Sequence, residues 1–109
     1  MRSEPIVVFI TAPTREEAAR LAELLVGARL AACVQILPEM ESVYRWEGQI
    51  ERQAEFLMLV KSTRDKFEKL EREVRAIHSY ETPEIVAVPV SEISDTYLKW
   101  LGESLQHSS

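Results

Sequence analysis

His78, Tyr80, Glu81 and Glu84 crowd into one short stretch, "HSYETPE", directly before an apolar run. Neutral imidazole is a common ligand for divalent metals, and carboxylate oxygens complete such shells. His78 with Glu81 and Glu84 is therefore a candidate metal site, for copper or another divalent cation. Affinity there would fall as His78 protonates, between about pH 7 and about pH 5.5. The same residues also have a structural reading. A histidine at a helix C-terminus interacts favourably with the helix dipole, and Pro83 pushes Thr82 to extended geometry, which starts a strand.

Other residues carry weaker chemistry. Cys33 could bind soft Cu(I) as its thiolate, but inside an apolar run it fits a small buried hydrophobe. His107, in the tail, is a further adventitious ligand. Thr11 precedes the turn at Pro13, where a helix N-terminus could attract an anion or simply be capped. Tyr44, Trp46, Tyr80, Tyr97 and Trp100 could line a cleft between subunits, with Lys61 and Glu84 supplying charge; aromatics are equally suited to interface packing. The chain holds no nucleophile elbow, HExxH, Walker loop or GxGxxG, and its 3 glycines are scattered. No nucleophile and base can be paired, so no reaction and no obligatory cofactor is expected.

These residues must be positioned by a small set of elements. "PIVVFITA" is β-branched and apolar, with Pro5 at a position where a missing N–H is tolerated, and predicts a first strand. "TREEAARLAELLVGARL" changes to helical period, with Thr14 and Glu17 as a capping box and Gly27 as a stop. "LAACVQILPEMESVYRW" and "IERQAEFLMLVKS" flank Glu47-Gly48-Gln49 and read as one long antiparallel hairpin, with Pro38 marking a bulge or an edge. "STRDKFEKLEREVRAIH" is a second helix with Phe67, Leu70, Val74 and Ile77 inward. "EIVAVPV" is the last strand. "SDTYLKWLGESL" is a closing helix capped by Ser94 or Asp95, packing through Tyr97, Leu98, Leu101 and Leu105. Residues 106–109 read as a frayed tail.

The order β-α-β-β-α-β plus a terminal helix predicts one α+β domain over 1–109, a ferredoxin-like antiparallel sandwich with both helices on one face. With 109 residues, 46% hydrophobic and 28% charged, the chain has the balance of an ordinary globular domain. A net charge of -5 opposes a nucleic-acid partner, and no stretch approaches the roughly 20 apolar residues of a membrane span. The 1 cysteine cannot form an internal disulfide and suits a reducing compartment, so a cytoplasmic location is expected. "IVVFI", "FLMLV" and "IVAV" are apolar at both parities, so both faces of the sheet must leave water although helices cover only one. Hairpin arms of a dozen residues at about 3.3 Å each also outrun the core. Both features predict an obligate homo-oligomer in which the tips bearing Tyr44 and Trp46 augment a neighbour's sheet.

The pieces "TAPTREEAARLAELLVGARLAACVQI", "SVYRWEGQIE", "FLMLVKST", "HSYETPEIVAVPV" and "YLKWL", in this order, resemble the CutA family of divalent-cation tolerance proteins. The resemblance implies a ferredoxin-like subunit in a homotrimer, in the cytosol, linked to tolerance of copper and other divalent cations, with no established reaction. The family commonly reads His-Pro-Tyr where this chain has His78-Ser79-Tyr80. Members proposed to bind copper carry a cysteine and a second histidine at positions matched here by Ile10 and Ile77, which leaves His78. The architecture is also similar to that of PII-type signalling proteins. That similarity implies the alternative of a sensor or scaffold binding a small effector at inter-subunit clefts near Thr11, Tyr44, Trp46, Lys61, Tyr80 and Glu84, with a downstream protein partner unnamed.

Overall fold

The computed structural model describes residues 3–106, so His107 and the rest of the expected tail beyond Gln106 lie outside the described residues. β1 (Pro5–Ala12) leads to α1 (Arg15–Gly27), and Thr14 caps that helix by accepting from the Glu17 N–H at 3.1 Å. α1 ends at its glycine, but the capping geometry falls on the residues just after it. Ala28 closes the last turn and Arg29, at φ 62, takes the left-handed position that Gly27 was expected to fill.

The expected single first arm of the hairpin is two strands, β2 (Cys33–Ile36) and β3 (Met40–Trp46), facing one continuous β4 (Gln49–Thr63). Pro38 sits in the break and cannot donate to the ladder. Ile36 pairs with Met58 and Met40 with Glu55, so the first arm advances 4 residues while β4 advances 3. That is a bulge, and its one-residue shift exchanges faces. Val34 and Ile36 share the face of Val60 and Met58, whereas Ser42 and Tyr44 share the opposite face with Gln53 and Glu51. The turn itself is tighter than expected. Trp46 pairs with Gln49 across Glu47 (φ 51) and Gly48 (φ 80), two left-handed residues as in a type I′ hairpin, so Gln49 belongs to the strand.

A single turn of 3-10 helix at Arg64–Lys66 opens α2 (Phe67–Ile77), followed by β5 (Ile85–Pro89) and α3 (Asp95–Leu105). The fold is α+β, an antiparallel sheet in the order β2-β4-β1-β5 with β3 attached to the outer half of β4. One face carries the core. Ile6, Val8, Ile10 and Ala12 of β1 and Met58 and Val60 of β4 pack under Ala18, Leu21 and Leu25 of α1 and Leu70 and Val74 of α2. Ser62 is the polar member of that face, and its hydroxyl donates to the Leu30 carbonyl at 2.6 Å.

Two packing expectations need correction. Ile77 is 48% exposed because the chain turns out of α2 there and buries His78 instead. In α3 only Leu101 and Leu105 are buried, and Tyr97 and Leu98, at 36% and 39%, stay exposed on the first turn. α3 packs against β4 on the second face, and Arg29 ties to it by donating to the Ser104 carbonyl at 3.0 Å. The helix leaves part of that face uncovered, since Val86 and Val88 on β5 are 50% and 41% exposed.

Candidate functional site

The site forms where β1 ends and β4 continues outward with β3 alone. β1 pairs with residues 56–63 of β4, and β3 pairs with residues 49–55. The loop from α2 to β5 closes over this junction. It is anchored by His78, whose side chain is fully buried. Nε2–H donates to the Thr11 carbonyl at 2.8 Å, and Nδ1 accepts from the Tyr80 N–H at 3.0 Å. These partners define the Nε2–H tautomer and occupy both ring nitrogens. Glu17, from α1, completes the anchor by accepting from the Ser79 N–H at 2.8 Å, with its carboxylate 3.3 Å from His78 Nδ1. Burial by itself raises the proton affinity of Glu17, but the hydrogen bonds from Ser79, with His78 and Arg20 nearby, hold its carboxyl below its ordinary value of 4.5.

Tyr80, aimed by this anchor, meets two residues of β4. Its hydroxyl donates to Glu55 Oε2 at 2.8 Å and accepts from Gln53 Nε2 at 2.9 Å, while Gln53 Oε1 accepts from the Tyr44 hydroxyl at 2.7 Å. Burial, and then the bond to Glu55 and its charge, push the Tyr80 phenol far above the ordinary tyrosine range. Around this chain lies an open cleft of about 690 Å³, lined also by Thr11, Ser42, Trp46, Glu81 and Glu84. Partial burial, and secondarily the charge of Glu55, raise the carboxyl of Glu84 above its ordinary value. The cleft thus offers two carboxylates that resist each other, a locked tyrosine and two aromatic rings.

Of the residues the sequence singles out, Thr11, Tyr44, Trp46, Tyr80, Glu81 and Glu84 come together here. Lys61 does not. It lies further along β4 opposite Cys33 and donates to Gln35 at 2.8 Å. Tyr97 and Trp100 stack on each other along α3 with ring centroids 5.4 Å apart, outside the cleft lining. The metal grouping of His78, Glu81 and Glu84 is not assembled within this chain. His78 is buried beneath the loop with its nitrogens engaged, and among the described residues no three His, Cys, Asp or Glu side chains converge to hold a metal ion. Glu17, expected in a capping box with Thr14, turns its carboxylate to the Ser79 N–H instead, and Gln53 and Glu55 are site residues that residue type alone does not single out. A signal for the last two exists in the strict alternation Gln49, Glu51, Gln53, Glu55, a polar stripe on one face of the hairpin.

The CutA1 divalent ion tolerance protein family matches residues 6–104. The divalent-cation tolerance protein CutA of Thermus thermophilus is 49% identical over 98 residues, which cover 90% of this chain and 95% of that one. Its counterpart from Archaeoglobus fulgidus is 44% identical over 99 residues, covering 91% and 96%. A chloroplastic CutA of Arabidopsis thaliana is 43% identical over 102 residues, which are 94% of this chain and 56% of the plant protein. Solved structures agree, with TM-scores of 0.90 for the Thermus thermophilus protein (48% identical, covering 92% and 97%) and 0.91 for the Archaeoglobus fulgidus protein (42% identical, covering 94% and 99%). The Thermus thermophilus and Archaeoglobus fulgidus proteins are named for divalent-cation tolerance and not for a reaction.

The expected cytoplasmic location is overturned by the same comparisons. Plant relatives are chloroplastic and the Archaeoglobus fulgidus structure is described as periplasmic; a lone cysteine fits a reducing compartment but does not bar an oxidising one. No helix among the described residues is long and apolar enough to cross a membrane. With a match running through nearly every element that builds the cleft, the chain belongs to the CutA1 divalent ion tolerance protein family.

Proposed function

We propose that the chain serves divalent-cation tolerance as a homotrimer of ferredoxin-like subunits that binds a small effector in the cleft at the hairpin root and catalyses no reaction. The observation that carries this reading is the hydrogen-bonded chain Tyr44–Gln53–Tyr80–Glu55, which holds the walls of a ligand-sized cavity in fixed geometry before any ligand arrives. Self-association is supported by apolar surface that the single chain leaves in water. Ile50 is 66% exposed, Val43 54% and Trp46 53% on the outer hairpin, and Val86 and Val88 extend the surface on β5. The outer half of β4 pairs with β3 alone among the described strands, and its other edge presents unused N–H and C=O groups. The strand order supports the ferredoxin-like reading, and the family resemblance supplies the order of three.

Mass spectrometry of the native assembly tests both halves. The expected result is a trimer that carries a small molecule, lost in Tyr80→Phe. A folded monomer at micromolar concentration, or a ligand indifferent to Tyr80, would overturn the reading. Copper at His78 is the competing account, and it requires the imidazole to surrender its bond from Tyr80. Calorimetric titration with copper separates the two, because a weak signal unchanged in His78→Ala fits the anchor role, whereas loss of binding restores the metal site.

A further inference from the structure

The polar chain in the cleft has a direction. The Tyr44 hydroxyl donates to Gln53, Gln53 donates to Tyr80, and Tyr80 donates to Glu55. Both phenolic protons are used within the chain, so Tyr44 and Tyr80 present only oxygen lone pairs to a ligand. The chain ends on Glu55, which is 7% exposed. Its Oε2 is taken by Tyr80 and its Oε1 has no hydrogen-bond partner among the described residues. No fully buried side-chain oxygen or nitrogen there lacks a partner. The free oxygen of Glu55 therefore opens onto the cleft that this residue lines.

The rest of the wall has the same sign. Glu81 and Glu84 add carboxylates, and among the described residues the lining contains no lysine, arginine or histidine. Trp46, 53% exposed, lines the same cleft from the tip half of the hairpin. An anion would meet uncompensated repulsion here, and a neutral acceptor would find few donors. A bare metal ion would find too few converging ligands among the described residues. A cation bearing N–H donors on an apolar body satisfies each part. Its donors meet Glu55 Oε1 and the Tyr80 oxygen in charge-assisted bonds, and its body lies on the indole face.

We infer that the cleft binds a small organic cation, a primary ammonium or guanidinium compound with an apolar body, using Glu55 as buried counter-ion, Glu84 as a second charge at the mouth and Trp46 as the stacking face. The inference rests on the effector-cleft reading and narrows it to one ligand class.

Calorimetry on the intact assembly with 2-phenylethylammonium, neutral 2-phenylethanol and anionic phenylacetate tests it, since the three share a ring and differ in charge. The ammonium should bind about tenfold or more tighter than the alcohol, the order of one charge-assisted hydrogen bond, and phenylacetate should bind more weakly than either. Glu55→Gln should collapse the ammonium-to-alcohol ratio while circular dichroism stays unchanged. If that variant does not fold, Glu84→Gln at an exposed position decides: the ratio should fall, and an unchanged ratio overturns the inference. Alcohol or phenylacetate binding as tightly as the ammonium, with dependence on Tyr80→Phe, overturns the ligand class and leaves an effector cleft standing. Silence from all three probes, with no small molecule on the native assembly, overturns both.

Discussion

Replacing His78 by alanine separates an anchor from a surface ligand most sharply. The imidazole makes two hydrogen bonds, to the Thr11 carbonyl at 2.8 Å and from the Tyr80 N–H at 3.0 Å, from a fully buried position. Each is worth about 1 kcal/mol net, and Thr11, only 5% exposed, is left with a carbonyl that water reaches poorly. Together with the void left by the ring, the loss should be about 3 kcal/mol. With a urea slope of about 1.5 kcal/mol/M, the unfolding midpoint should drop by about 2 M, read at one fixed protein concentration because the proposed self-association would add to apparent stability. His78→Gln keeps a donor for Thr11 and should recover part of the loss. A midpoint within about 0.3 M of the parent for His78→Ala would refute the reasoning, since an exposed ligand contributes little to stability.

Further outcomes follow from the same geometry. The folded chain holds the Glu17 carboxyl below its ordinary 4.5, so the unfolded chain takes up that proton first. The associated stability is complete above about pH 4.5 and is lost as pH falls through the depressed value, so acid unfolding curves should be shallower for Glu17→Gln than for the parent. At the hairpin turn, Glu47 sits at φ 51 and Gly48 at φ 80; Glu47→Asn should stabilise by about 0.5 kcal/mol and Gly48→Ala should cost about 1 kcal/mol in thermal unfolding. Ile50→Lys, at a residue 66% exposed, should shift sedimentation toward smaller species with the far-ultraviolet spectrum retained. An assembly of unchanged size would remove the outer hairpin from the interface.

What the sequence reveals here depends on how local the cause is. β1 and α1 are written in short-range period, and Thr14 announces the cap that α1 uses. Pro38 announces a bulge, yet its consequence is a register, and only the pairing of Met40 with Glu55 shows that Tyr44 and Trp46 thereby face Gln53 and Glu55. Gln53 and Glu55 were passed over because alternating polar residues on a hairpin normally mean a wet face. The chemistry of His78 is legible in its type but its surroundings are not, since its partner, the Thr11 carbonyl, lies 67 residues away in the chain. Residue type alone groups Lys61, Tyr97 and Trp100 with an inter-subunit cleft. Charge and aromaticity carry no address, and within one chain strand register puts Lys61 beside Cys33 and Gln35 while Tyr97 and Trp100 lie together on α3, outside the cleft lining.

β4 is 15 residues long, and its two halves answer to different neighbours. One half is clamped in the core sheet and the other reaches out beside β3, with Gln53 and Glu55 near the fulcrum between them. If the proposed ligand and a neighbouring subunit both engage β4, any factor by which one changes the other's affinity is shared by both.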